Sequence, residues 1–317
     1  MLKKLITALK NEHLGYVIGN FASETLIHPI STTKEINKFL ANWILNYKEI
    51  PENGLKFEQH CHSQFSEGAE LTDIIKFLLE NNFRFCSITD HGNTKAFDSL
   101  KNGSYKLSMT DKKIDIQTSP DNRYMTIHAD NKELTLLRSI EYWTDKGEIG
   151  IHGFKGELPK KRIPLTEAIQ RAIDGGGYVI INHPYFWEGI GYYGRENIEM
   201  AVKQGAIAIE KNGTEIPPQI YSCIRAERDA KEFNIALVTS GDAHNLYMYG
   251  QSRLTFSEEE YVQTLKRFSN NHADTIRTMI QTKQFKTYLN YLTPKQFMNF
   301  FSFEDTSEAL ERFSQNS

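Results

Sequence analysis

Six of the ten histidines in this chain, His60, His62, His91, His152, His183 and His244, stand at or just beyond the ends of short apolar runs. Such runs read as β-strands. His60-Cys61-His62 closes the first run, and side chains alternate along a strand, so both imidazoles point one way and Cys61 the other. That is the geometry of two ligands for one cation. Ser63, Ser66, Glu67 and Gly68 follow as a turn from which the Glu67 carboxylate can reach back. The second run ends Ile88-Thr89-Asp90-His91-Gly92, and the third holds an acid inside apolar sequence, Ile140-Glu141-Tyr142. A carboxylate buried there costs several kcal/mol unless it is paired or metal-bound. Gly150-Ile151-His152-Gly153, Ile181-Asn182-His183-Pro184 and Ser240-Gly241-Asp242-Ala243-His244 complete the set. One strand-end histidine is more often a hydrogen-bonded core residue than a ligand. Six of them, with Glu67, Glu141 and Asp242, point to a cage for divalent cations. Histidine with carboxylate suits zinc, manganese or iron, and the lack of cysteine ligands argues against a structural zinc.

Distant residues meet only if the strand ends converge. Apolar or alternating runs recur at 55–61, 84–90, 134–142, 148–153, 178–182, 206–211 and 235–240. Between them lie helical patterns such as Leu71–Asn82, with Ile74, Ile75, Leu78 and Leu79 on one face, and Thr166–Asp174, stopped by Gly175, Gly176 and Gly177. Alternating β and α elements imply a parallel sheet with crossover helices. The 317 residues exceed the ~250 of one β/α barrel, whose active sites sit at the C-terminal strand ends. The expected architecture is α/β, a distorted, TIM-like β/α barrel over 55–256 with N- and C-terminal helical extensions at 1–54 and 257–317. The polar, turn-rich stretch at about 101–133 reads as an insertion, a β-ribbon over one barrel end. Pro217-Pro218 and Thr293-Pro294 read as helix starts, and Ser257 with Glu260 as a capping box.

Composition narrows the setting. A net charge of −3 gives no bulk field for nucleic acid, although a local basic strip stays compatible with it. Cys61, Cys86 and Cys223 form no CxxC and cannot all pair, which suggests free thiols in a reducing compartment. Lys10, Asn11 and Glu12 cut short the apolar run that follows Lys3 and Lys4, and no stretch nears the ~20 apolar residues of a membrane span. A cytoplasmic protein without a membrane partner is expected.

The motifs HxHSxxSEG, ITDHGN, the embedded Glu141, NHP and SGDAH, in that order over about 55–250, resemble the PHP (polymerase and histidinol phosphatase) family. The eleven-residue step from Glu141 to His152 looks like the small bacterial members that act on nucleotides and RNA ends. The resemblance implies a PHP-type barrel with two or three divalent ions (Mn2+, Zn2+ or Fe2+). By it, His60, His62, Glu141 and Asp242 would hold one ion. Glu141 would bridge to a second, held also by His152 and His183. Glu67, His91 and His244 would hold a third. The chain departs from the family in having Glu67 and Glu58 where aspartates are usual, and Tyr185, Phe186 and Trp187 where the nucleotide-acting relatives often carry an arginine.

Two ions ~3.5–4 Å apart can share a water, lower its pKa and clamp phosphate oxygens. The expected reaction is hydrolysis of a phosphate ester by the resulting hydroxide, with Asp242 or His244 orienting the nucleophile or protonating the leaving group. A phosphatase or nucleotidase acting on a small phosphomonoester ranks first, and a nuclease or phosphodiesterase acting on DNA or RNA ends second. Third is a silent, metal-stabilised module whose terminal helices bind a protein partner or a second copy. Retention of all nine ligands speaks against it. An amide-cleaving barrel ranks low, because no strand-end lysine is placed to bridge two metals. Lys155, Arg195 and Lys211 are candidates for binding phosphate, weighed equally against solvated surface charge. Tyr142, Trp143, Tyr185, Phe186, Trp187, Tyr192 and Tyr193 would stack on a base or pack the loops.

Overall fold

The chain is described from a computed structural model, which covers residues 53–109, 112–186, 188–213 and 220–291. The expected N-terminal helices, the helix starts at Pro217 and Thr293, and the chain end lie outside these residues. The first strand, β1 (Leu55–Cys61), is buried almost throughout and pairs in parallel with β2 (Phe83–Ile88). Between them α1 (Leu71–Glu80) buries Leu71, Ile74, Ile75, Leu78 and Leu79, the face its 3.6-residue spacing dictates. A short helix, α2 (Lys95–Lys101), follows.

The insertion is a β-ribbon. β3 (Ile114–Thr118) pairs antiparallel with β4 (Tyr124–Ala129), and β4 pairs antiparallel with the first half of the long β5 (Lys132–Thr144). It therefore runs beside the part of β5 that precedes Glu141. The same half of β5 pairs in parallel with β2.

The second half of β5 turns back into β6 (Gly147–His152), which is antiparallel both to it and to β7 (Tyr178–Ile181). The uniform parallel sheet expected from the sequence is interrupted at β6, because only two residues separate β5 from β6 and no crossover helix fits. The β/α rhythm then resumes through α3 (Leu165–Asp174), β7, α4 (Arg195–Gln204), β8 (Ala208–Asn212), α5 (Ile220–Glu232) and β9 (Ala236–Ser240). A parallel bridge from Cys61 to Ala243, with His62 N donating to Ala243 O at 2.9 Å, brings the end of β9 back to β1 and nearly closes the barrel.

After β10 (Arg253–Phe256) come α6 (Glu258–Arg267), α7 (His272–Gln281) and the short strand β11 (Lys286–Tyr288), which pairs with β10. Ser257 caps α6 without a side-chain hydrogen bond, so the expected capping box with Glu260 does not form. Ala273, Ile276, Met279 and Ile280 of α7 pack with Phe57, Phe85, Phe256 and Tyr261, so these helices share the barrel's core. All the elements fall in one unit, Glu49–Glu215 with Gln219–Asn290. Cys61, Cys86 and Cys223 are free and buried. Among the described residues no helix is long and apolar enough to cross a membrane.

Candidate metal centre

Five strand ends deliver polar side chains to one point. His60 and His62 come from β1, His91 from the turn after β2, Glu141 from β5, His183 from the turn after β7, and Asp242 and His244 from the turn after β9. The Glu141 carboxylate is the hub. Its Oε1 lies 3.2 Å from His60 Nε2 and 3.1 Å from His183 Nε2, and its Oε2 lies 3.4 Å from His62 Nε2 and 3.2 Å from His91 Nδ1. Asp242 Oδ1 lies 3.2 Å from His60 Nε2 and 2.9 Å from His62 Nε2. The ligand atoms of His60, His62, Glu141 and Asp242 lie within 4.8 Å of one another, as do those of His62, His91 and His244, and those of His91, Glu141 and Glu148. Donors ~2.1 Å from a shared cation span similar distances.

Neighbouring groups fix which imidazole nitrogens face inward. Glu210 Oε2, on β8, accepts from His60 Nδ1 at 2.8 Å, leaving the Nε2 lone pair for the centre. Ser66 Oγ donates to Asp90 at 2.7 Å and so accepts from His62 Nδ1 at 3.1 Å, with the same result. The carbonyl of Asp242 accepts from His244 Nδ1 at 2.9 Å. A carboxylate or carbonyl behind each imidazole is how metal-binding histidines are oriented. Backbone strain sits in the same place: His183 (φ 21°) and Asp242 (φ 44°) both occupy the sparsely populated left-handed region.

The electrostatics follow from acids and imidazoles sharing a buried space. Burial opposes charge on His60, but Glu141, Glu210 and Asp242 outweigh it and hold the imidazole well above its usual range. Burial likewise opposes charge on Glu141, yet His60 and His183 hold it well below the carboxylate range. Burial and the nearby His62 push His244 down to about 3. Burial and repulsion from Glu148 push Glu188, at the rim, up to about 8.

Two sequence expectations land elsewhere. His152 lies in none of the three clusters. β6 runs antiparallel, so its C-terminal end points away from the mouth, and His152 pairs with Ser139, one step deeper than Glu141. There both its ring nitrogens are buried without hydrogen-bond partners, and burial and the nearby His60 push it down to about 3. The start of β6 takes the place at the mouth: Glu148 lies 3.4 Å from His91 Nδ1 and 3.9 Å from His183 Nε2. Gly150 lies opposite Glu141, where a Cβ would come within 2.6 Å of Asn182 Oδ1 and 2.8 Å of His152 Nε2. Glu67 is exposed on its turn, also outside the clusters.

Sequence reasoning missed Glu148 and Glu210. Both were open to the argument that singled out Glu141, an acid within an apolar strand. Arg195 pairs with Asp229 and Glu232, and Lys211 with Glu227, so neither is a spare cation, while Lys155 lies away from the clusters, in a groove with Arg138 and Arg171. Of the aromatics, Trp143 and Phe186 stand nearly perpendicular to His91 and His183, with ring centres 6.4 and 5.7 Å apart. Tyr185 is bound to Asp229, and Trp187 lies outside the described residues.

Among solved structures, PsfC from Pseudomonas syringae is similar over 78% of this chain and 98% of its own, with a TM-score of 0.55 and 13% identity. The fold is shared. A two-domain protein from Bacteroides vulgatus containing a predicted PHP-like metal-dependent phosphoesterase is similar over 77% of this chain and 68% of its own (TM-score 0.49, 13% identity). Endonuclease Q, bound to duplex DNA with an abasic lesion, is similar over 67% of this chain and 56% of its own (TM-score 0.45, 12% identity). No family model and no curated protein sequence matches the chain.

Proposed function

We propose that this chain is a metal-dependent hydrolase of phosphate esters, a phosphatase or nucleotidase acting on a phosphomonoester. The observation that carries the reading is the Glu141 carboxylate, 1% exposed, with four imidazole nitrogens from the ends of three strands, β1, β2 and β7, within 3.4 Å. The donor set suits divalent cations, because Nε2 of His60 and Nε2 of His62 converge to 3.2 Å beside the Glu141 and Asp242 carboxylates, the spacing of ligands around one ion. His60, His62, Glu141 and Asp242 would hold one ion. Glu141 would bridge to a second beside His183, with His152 on the deep side and Glu148 on the outer side. His91 and His244 would hold a third, with Glu67 as its outer carboxylate.

Bound ions supply Lewis acidity and lower the pKa of water at the site. The chain's own residues do the rest. Glu210, and Asp90 through Ser66, fix the imidazole tautomers. Asp242 and His244 are 15% and 19% exposed, so they reach solvent and can orient the attacking water. Glu141 and Glu148, nearly buried, hold charge in place.

The test is metal content measured beside hydrolysis of paired mono- and diester chromogenic phosphates, in wild type and Glu141→Ala. The expected result is two or three ions per wild-type chain, monoester preference, and loss of both metal and nearly all turnover in the variant. Unchanged turnover in the variant refutes the site. Preference for the diester moves the reading to a phosphodiesterase or nuclease.

A further inference from the structure

We infer that Lys160, Lys161 and Arg162 form a second anion-binding site at the rim of the metal centre, selecting esters that carry another anionic group beside the phosphate to be cleaved. The inference deepens the reading above and rests on it. Three observations carry it.

The first is rigidity. The three cations lie on the segment between β6 and α3, and that segment is tied to the residues directly after Glu141. The Tyr142 hydroxyl lies between two carbonyls of this segment, Pro159 O at 2.9 Å and Lys161 O at 2.8 Å, and its single proton is shared between them. Asp145 N donates to Ile163 O at 3.0 Å, and Asp145 Oδ1 accepts from Leu165 N at 2.9 Å. A site fixed to the strand that carries the metal hub keeps its distance from the chemistry, which is what positioning a substrate requires.

The second is proximity. The Arg162 guanidinium lies 4.5 Å from the centre of the Trp143 ring, and that ring stands perpendicular to the His91 imidazole with the ring centres 6.4 Å apart. One indole therefore separates the cation from a proposed metal ligand. A substrate whose first phosphate sits on the ions presents its second anion there.

The third is availability. All three side chains are exposed, and among the described residues no carboxylate lies within ion-pair distance of any of them. Arg123, Arg138, Arg195 and Lys211 are each committed to acids elsewhere. A guanidinium resting over an indole face and paired with no acid has N–H groups to spare for two parallel bonds to a phosphate or carboxylate.

Two sources present this chemistry: a small bisphosphorylated molecule and the phosphate-bearing end of a single strand. The experiment compares wild type, Arg162→Ala, Arg162→Lys and the triple variant K160A/K161A/R162A. Substrates are 4-nitrophenyl phosphate, a nucleoside 3′,5′-bisphosphate and a 5′-phosphorylated hexanucleotide. The expected result is that kcat/KM for the doubly charged substrates, relative to 4-nitrophenyl phosphate, falls about tenfold or more in Arg162→Ala, through KM, and is partly restored in Arg162→Lys. A fall for both polyanions assigns a small bis-anion. A fall for the hexanucleotide alone assigns a strand, and its affinity should then follow salt with a slope of about −2, as three phosphate contacts require. Anisotropy of the labelled hexanucleotide on metal-free protein gives a readout independent of turnover, with binding at least tenfold weaker in the triple variant. An unchanged ratio in Arg162→Ala together with unchanged anisotropy in the triple variant overturns the rim site. A wild type inert on all three substrates overturns the hydrolase reading instead, and the anisotropy then decides the rim by itself.

Discussion

Two buried polar clusters in this barrel look alike in composition and differ in how they are satisfied. One flanks the insertion. Arg123 gives Nε to Asp121 at 2.7 Å, one terminal nitrogen to Gly176 O at 2.6 Å, and both terminal nitrogens to Asp274 at 3.0 and 2.7 Å. Asp121 in turn accepts from Ser119 and Asn271. Burial raises the pKa of Asp121, but Arg123, Ser119 and Asn271 outweigh it and hold the carboxyl at about 2. The other is the strand-end cluster around Glu141, where Asp242 Oδ1, Glu148 Oε1 and one or more nitrogens of His91, His152 and His183 are buried without a hydrogen-bond partner. A closed network of this kind fastens a ribbon to a helix. A cluster whose lone pairs face one another is built around something positive that the chain does not itself supply.

The largest effect that separates the two is cation binding. Zinc or manganese at a hundredfold excess over its dissociation constant should stabilise the fold by about 3 kcal/mol, read as a rise in melting temperature that a chelator reverses. Arg123→Met should start from a lower temperature and gain the same increment, since its network holds no cation. If that variant loses the increment, the two clusters are one system and the contrast fails.

Next in size is the ribbon clamp itself. Arg123→Met leaves Asp274, Asp121 and the Gly176 carbonyl short of donors, and should cost about 2–3 kcal/mol in urea unfolding with little change in metal content. A smaller effect belongs to Glu210. Glu210→Gln no longer holds His60 by a charged acceptor and should weaken metal affinity by roughly 10–100-fold, while stability in chelator moves little. Equal losses with and without metal would make Glu210 a packing residue.

The pattern of what the sequence discloses follows from the same contrast. Period-two alternation placed His60 and His62 on one side, and the acid at Glu141 stood out because an apolar strand has no use for it. Strand direction is a different kind of information. Nothing local at 145–152 distinguishes a strand that runs back from one that runs on, so His152 was read as an end at the mouth when Glu148 holds that place. The partners of Arg123 are equally silent in sequence, because Asp274 and Gly176 are 151 and 53 residues away and carry no motif. Long-range polar closure becomes visible only when the chain is folded. The proposed ligands are legible where they sit at a recurring position of a recurring unit, as His60, His62, His91, His183 and Asp242 do.

The smallest expected effect lies on the satisfied side and tests it through pH. His272 opens α7, with Nδ1 bonded to the Tyr261 hydroxyl and its ring edge-on to Tyr124. Burial, then Arg84, push its pKa down to about 4, against an opposing pull from Glu133. A positive charge at the first position of a helix is also disfavoured by the helix dipole. The folded state therefore takes up its proton at lower pH than the unfolded chain, whose histidines titrate near ~6.5. Above that pH both states are neutral and His272 contributes no slope. Between about 6.5 and 4 the unfolded state holds the extra proton, so stability falls as pH falls, by at most one proton's worth per unit, and levels off below. The measurement is urea unfolding in chelator at pH 7.5, 5.5 and 4 for wild type and His272→Gln. The strand-end histidines are present in both proteins, and their titration is common to the two curves. A difference between the two curves that is flat from pH 7.5 to 4 would mean that His272 is solvated, and that the closed side of the barrel is less closed than its hydrogen bonds imply.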